Sequence, residues 1–278
     1  MRFLTNAGPV LESGEASLAP MTAQSELIDR VRADLHELEA VRGVWLTGSL
    51  GTGTDDEWSD VDMFVLVDDE DRPAFVASWP HFAAGYQPLL VKQIPGAPVF
   101  AHVLPGWLRW DVTVGGHGDL AGLDRDRVLE LFSRHGESAG TAPHRPPDPH
   151  VVREMTEEFL RVLGLLPVVV RRGEAVMAAS GAALLRQMLT TLLRYQAEGS
   201  RMSGALHLSR VLRQDQVAAL RALPPAYADL DAAVRLHIAC AAMFLPVARD
   251  LLRGDYPARL DEACRIHLRA ELSLELPD

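Results

Sequence analysis

Two aspartates, Asp60 and Asp62, stand one residue apart in the stretch Gly43 to Val67, GVWLTGSLGTGTDDEWSDVDMFVLV. Alternate side chains of a β-strand share a face, so the run Val61 to Val67 predicts a strand with Val61, Met63, Val65 and Val67 toward a core. Both carboxylates then lie on the other side. Carboxylates held so close repel unless a divalent cation bridges them, and magnesium carrying nucleotide phosphates is the usual chemical use of such a pair. A gap of ten residues upstream leads to Gly48-Ser49, a small-residue turn whose backbone N–H groups can face a phosphate with no Cβ in the way. In Trp107 to Val114 the apolar Leu108, Trp110, Val112 and Val114 take one strand face and leave Arg109, Asp111 and Thr113 on the other. Strand interiors disfavour Asp, so Asp111 needs a partner, and a metal shared with Asp60 and Asp62 supplies one.

The Asp-x-Asp pair is not distinctive by itself. Twenty-one Asp in this chain give about 1.6 such pairs by chance, and four occur, among them Asp69/Asp71, Asp124/Asp126 and Asp229/Asp231. Only Asp60/Asp62 follows a strand and a Gly-Ser turn and has a later strand aspartate to join it. Gly51 and Gly53 are expected in a flexible loop, and Asp55, Asp56 and Glu57 in a solvated acidic one.

The elements that must position these groups follow from apolar periodicity. Leu27, Ile28, Val31, Leu35 and Leu38 predict a helix over 24–40, leading into a short strand at 44–46. After the strand at 61–67 comes a helix-like 71–84, then strand-like runs at 86–94, 98–104 and 107–114, punctuated by Pro95-Gly96 and Pro105-Gly106 and expected as antiparallel neighbours. Thr141 to His150, TAPHRPPDPH, carries four prolines, through which neither helix nor central strand can run. Beyond it the pattern is helical over 150–170, 174–198, 202–222, 228–253 and 257–274. The expectation is an α+β chain: a loose tail over 1–20, a small mixed-sheet domain over 21–142, and an all-α helical bundle over 143–278.

Composition removes several classes. The formal charge of −11 over 278 residues lacks the basic footprint of a nucleic-acid binder. Cys240 and Cys264 have no zinc-site spacing and form no disulfide framework, which suits a reducing cytoplasm. The longest apolar run, Ile238 to Ala248, has 11 residues and contains Pro246, so no transmembrane helix is expected, against the roughly 18 residues a span requires. Lys92, the one lysine, is not in a Gly-Lys-[Ser/Thr] phosphate loop. A phosphotransferase loop at His117-Gly118-Asp119 fails on spacing, because the 24 residues from Lys92 to His117 leave no room for the intervening kinase elements.

A strand, Gly48-Ser49, a ten-residue gap, Asp60-x-Asp62 with apolar residues after it, and a later strand Asp111 together resemble the nucleotidyltransferase superfamily related to DNA polymerase β. With a helical bundle following, the chain is similar to antibiotic nucleotidyltransferases acting on aminoglycosides or lincosamides. The resemblance implies metal carboxylates at Asp60, Asp62 and Asp111, a phosphate-contacting turn at Gly48 and Ser49, and Mg2+ with ATP or another nucleoside triphosphate. A general base from the helical domain is also implied, with Glu174, beside Arg171 and Arg172, as the candidate. Its ordinary role would be that of a first-turn Glu on the helix dipole. The expected partners are the nucleotide and a small cationic acceptor, steered by Asp55, Asp56, Glu57, Glu154, Glu157 and Glu158, with no nucleic acid or membrane, in a monomer or homodimer. Antitoxin-like nucleotidyltransferases that modify or bind an Arg-x(4–6)-His protein partner are the alternative class. The matches Arg30/His36, Arg145/His150 and Arg201/His207 are uninformative, because composition gives about three.

Overall fold

A computed structural model describes residues 22–141, 145–199 and 207–277. The tail expected over 1–20 lies outside the described residues. The chain forms two compact units, Met1–Ala142 and Pro143–Asp278.

The first unit is built on a six-stranded mixed sheet. Its elements are α1 (Ala23–His36), β1 (Val41–Leu46), α2 (Gly48–Thr52), β2 (Val61–Val67), α3 (Arg72–Ala84), β3 (Leu90–Gln93), β4 (Val99–Val103), β5 (Arg109–Gly115), α4 (His117–Ala121) and β6 (Leu129–Ser133). The strand order is β3-β4-β5-β2-β1-β6. Only β2 and β5 run parallel, which sets Asp62 directly beside Asp111 in the register. β3, β4 and β5 are antiparallel neighbours, as the sequence predicts.

Local sequence explains the elements around the carboxylates. A capping box between Thr22 and Ser25 opens α1, and Leu27, Val31 and Leu35 bury one stripe of it against the sheet. The helix stops at His36, short of the expected residue 40, because the chain turns through Leu38 into β1. The sheet face below the carboxylate-bearing strands is aromatic: Trp79, Phe100 and Trp110 are fully buried there. Buried His102 ties this layer together. Its Nε2 accepts from Trp79 Nε1 at 3.0 Å, which leaves the Nδ1 proton to be donated to the Trp110 carbonyl at 2.7 Å. Burial pushes the His102 pKa down, keeping the ring neutral.

The opposite face is not open along its length, as simple alternation suggests. Phe64 and Leu66 are buried there with Trp45, Leu120 and Ala139. Only the beginning of β2 stays accessible, so the carboxylates sit at the strand end rather than across the sheet. β6 escapes the sequence because it is a short edge strand with no alternating pattern, and α2 because five residues with two glycines give no periodicity. Gly51 lies inside α2, and an added Cβ would come within 2.7 Å of the Leu46 and Arg127 carbonyls, so close packing rather than loop freedom explains it.

The second unit is helical: α5 (Pro149–Leu163), α6 (Leu166–Arg171), α7 (Ala175–Glu198), α8 (Leu208–Val211), α9 (Gln214–Arg221), α10 (Leu230–Leu252) and α11 (Ala258–Leu272). The single helix expected over 150–170 is two, interrupted at Gly164. The helix expected over 202–222 is α8 and α9 in its described part, with 202–206 outside the described residues. Phe159 and Phe244 stack at 3.9 Å in the core, and buried Asp261 accepts from Arg249, Arg265 and Tyr256. By length and composition α7 and the segment Leu230–Asp255 could cross a membrane. Both line the core of this unit, burying Leu185, Leu189 and Leu192 from one and Leu236, Phe244 and Leu245 from the other.

Candidate active site

Asp60, Asp62 and Asp111 converge at one end of the sheet, each offering an oxygen within 4.8 Å of the others. Asp62 is the second residue of β2, Asp111 lies beside it on β5, and Asp60 is carried just before the strand. The alternation on β5 is as expected: Trp110, Val112 and Val114 are fully buried and Arg109, Asp111 and Thr113 lie on the other face.

The turn after β1 is fitted onto Asp62. Thr47 donates its backbone N–H to the Asp62 carbonyl at 2.9 Å, and Gly48 takes φ +60. A Cβ at position 48 would lie 2.1 Å from Asp62 Oδ2. Glycine is therefore demanded twice, by backbone conformation and by the carboxylate against it. Gly48 and Ser49 then begin α2, whose Thr52 hydroxyl lies 3.1 Å from the carbonyls of both.

Burial chiefly, then the charges of Asp60 and Asp111, push the Asp62 carboxyl up to about 7, with Arg109 opposing. Asp111 is also raised, by burial first and by Asp60 second. A half-buried cluster of like charges is under-compensated by protein alone. The donor set suits a hard divalent cation: three carboxylate oxygens, no nitrogen or sulfur, and accessible positions.

Arg109 is the site residue to which sequence reasoning gave no role. It shares the Asp111 face, and its Nη1 lies 3.3 Å from Asp60 Oδ2, so one cation partly offsets the three acids. The signal was present in strand parity, but the residues give no way to foresee which carboxylate it would pair with. Glu174 belongs to the second unit, where it precedes α7 as the N-cap residue, makes no capping bond and is exposed. The acids expected to steer a cation divide in two. Glu154, Glu157 and Glu158 face His150, Arg153 and Arg161 in pairs within α5. Asp56 turns inward to hold the loop, accepting from Trp58 N at 3.1 Å and Ser59 Oγ at 3.2 Å, while Asp55 and Glu57 are exposed.

Residues 28–99 match the family model described as "Nucleotidyltransferase domain". The match spans Gly48, Ser49, Asp60 and Asp62 and ends before Asp111. No curated protein matches the chain. Among solved structures, an aminoglycoside 6-adenyltransferase from Bacillus subtilis is 14% identical with a TM-score of 0.42, over 89% of this chain and 98% of that one. A CCA-adding enzyme is 12% identical with a TM-score of 0.33, over 88% and 69%. The STING-associated CdnE c-di-GMP synthase from Capnocytophaga granulosa is 13% identical with a TM-score of 0.31, over 83% and 81%. At these values no substrate is carried across. The first unit thus carries the match to a nucleotidyltransferase domain and is followed in sequence by a helical region, an α+β arrangement.

Proposed function

We propose that this chain transfers a nucleoside monophosphate, AMP from ATP in the first instance, onto a hydroxyl of a small cationic antibiotic of the aminoglycoside class, releasing pyrophosphate. The observation that carries the reading is the convergence of Asp60, Asp62 and Asp111 within 4.8 Å beside a glycine turn that fits against Asp62. Those three carboxylates would hold Mg2+, which, when bound, supplies charge to balance the triphosphate and the developing oxyanions. The Gly48-Ser49 turn is read as the cradle for the phosphates, and Arg109, already beside Asp60, as a cation for the charge that builds around the reacting phosphorus.

In the transfer itself a bond forms between the acceptor oxygen and the α-phosphorus, while the bond from that phosphorus to the pyrophosphate oxygen breaks. The hydroxyl proton passes to a carboxylate. Asp111 is the candidate within the first unit, and Glu174 the candidate from the second. The exposed acids Asp55 and Glu57, on the loop leading to Asp60, support a cationic acceptor. A cytoplasmic setting agrees with two buried free cysteines.

The test is incubation with ATP, GTP, CTP and UTP, magnesium, and a panel of aminoglycosides and lincosamides, followed by mass spectrometry. The expected result is an acceptor heavier by one nucleoside monophosphate. A protein target labelled instead, with no small molecule modified, would favour the antitoxin-like class.

A further inference from the structure

Two of the most exposed large apolar side chains in the described residues are tryptophans at the carboxylate end of the sheet. Trp58 is 79% exposed and Trp107 is 76% exposed. Trp58 lies two residues before Asp60, and Trp107 two before Arg109, whose guanidinium pairs with that same Asp60. Because β2 and β5 are parallel and in register from Val61 and Trp110 onward, both rings belong to the same end of adjacent strands.

Neither ring is on a slack loop. Trp107 closes the hairpin between β4 and β5: its N–H bonds the Leu104 carbonyl at 3.1 Å, and Leu104 N bonds the Leu108 carbonyl at 2.8 Å. It holds φ +64 immediately after Gly106 at φ +77, a left-handed conformation that glycine or asparagine ordinarily fills. The chain therefore maintains a bulky aromatic in a strained backbone while leaving its ring in water. Such an outlier points from structure toward function. The Trp58 loop is pinned by the Gln24 side-chain amide, which donates to the carbonyls of Asp56, Glu57 and Ser59 at 3.1–3.2 Å.

We infer that Trp107, with Trp58, forms the surface on which the acceptor's amino-sugar ring stacks. The inference rests on the nucleotidyl-transfer reading for its direction. In-line displacement sets the attacking oxygen and the leaving pyrophosphate on opposite sides of the phosphorus. The Gly48-Ser49 turn approaches Asp62 from the β1 side, and β5 flanks β2 on its other side. With phosphates on the turn, the acceptor enters along β5, where Trp107 stands. The chemistry matches an amino sugar: its apolar ring face covers an indole, its ammonium groups are drawn to the indole face, and Glu57 beside Trp58 offers a carboxylate.

Trp107→Gly removes the ring while suiting the backbone, so it folds at least as well as the wild type. Binding of each panel aminoglycoside, without nucleotide, is measured by calorimetry and by tryptophan fluorescence for wild type, Trp107→Gly and Trp58→Ala. The expected result is quenching in the wild type, and a dissociation constant at least tenfold higher in Trp107→Gly with that for MgATP unchanged within twofold. In turnover, the acceptor KM rises and kcat stays within twofold. Unchanged acceptor affinity, no aminoglycoside bound by the wild type, or weakened ATP binding instead would each overturn the inference, the last assigning the ring to the nucleobase. Trp107-dependent binding with no transfer in the mass-spectrometric assay would keep the stacking surface and remove the nucleotidyl-transfer reading.

Discussion

Replacing Asp62 by Asn tests the charge balance of the site without relying on turnover. A carboxyl raised from 3.8 to about 7 favours the folded state only while it is protonated. Its contribution is fully present below the unfolded value and is lost as pH rises through the folded one. The complete shift corresponds to roughly 4 kcal/mol opposing the metal-free fold above pH 7. Most of this, roughly 3 kcal/mol, is lost between pH 5 and 8. For a domain of this size that is a fall in Tm of roughly 5–10 °C, an upper figure because the side chain retains contact with water.

The assay is thermal unfolding of wild type and Asp62→Asn across pH 5–8 in a chelating buffer, then with magnesium. His102 and His237, whose pKa values burial lowers, also make stability depend on pH, but they are common to both proteins and cancel in the difference. The variant is expected to gain on the wild type steadily as pH rises. Magnesium should then stabilise the wild type at pH 8, by about 2.7 kcal/mol at a hundred times its dissociation constant, and leave Asp62→Asn unmoved. Parallel pH profiles for the two proteins, or an equal magnesium response, would refute the argument that the acids are held together in wait for a cation.

Gly48→Ala should destabilise the first unit by about 1–2 kcal/mol from the left-handed backbone and, by pushing on the Asp62 carboxylate, abolish the magnesium-dependent Tm rise. A variant retaining that rise would separate the turn from the metal site. Asp111→Asn should remain folded, with transfer falling by at least a hundredfold; an unfolded circular-dichroism spectrum would make Asp111 structural. Glu174→Gln distinguishes the proton acceptors. A kcat loss of about 10²–10⁴ with loss of the acidic limb of the pH–rate profile assigns the base to Glu174, and near-normal kcat assigns it to Asp111.

Legibility in the sequence follows how local the determinants are. Period-two alternation is a local rule, so it placed Asp111 correctly and carried Arg109 to the same face. It failed on β2 beyond Asp62, where Phe64 and Leu66 are covered by Trp45, Leu120 and Ala139, residues from other elements. Register is a long-range property, and the pairing of Asp62 with Asp111 across a parallel strand pair exists only once β5 inserts beside β2. His102 was silent for the same reason: its partners, Trp79 and the Trp110 carbonyl, are 23 and eight residues away. Gly51 looked like loop punctuation because nothing local reveals the Leu46 and Arg127 carbonyls against it.

The Gly48 turn and the Trp107 turn use positive φ in opposite ways. At Gly48 the left-handed backbone coincides with a contact that admits no side chain, so residue, conformation and neighbour agree, and strain is absent. At Trp107 the same region of φ is occupied by a side chain that opposes it, and no packing compensates, since the indole is exposed. Local preference and observed residue agree on one side of the carboxylates and conflict on the other. Agreement is what a fixed phosphate cradle requires, because its backbone must not yield. Conflict is what a recognition surface produces, because the ring is retained for what it meets in solution rather than for the fold. The phosphate side should therefore lose metal and nucleotide binding together on substitution, whereas the tryptophan side should tolerate substitution in stability and yield only in acceptor affinity.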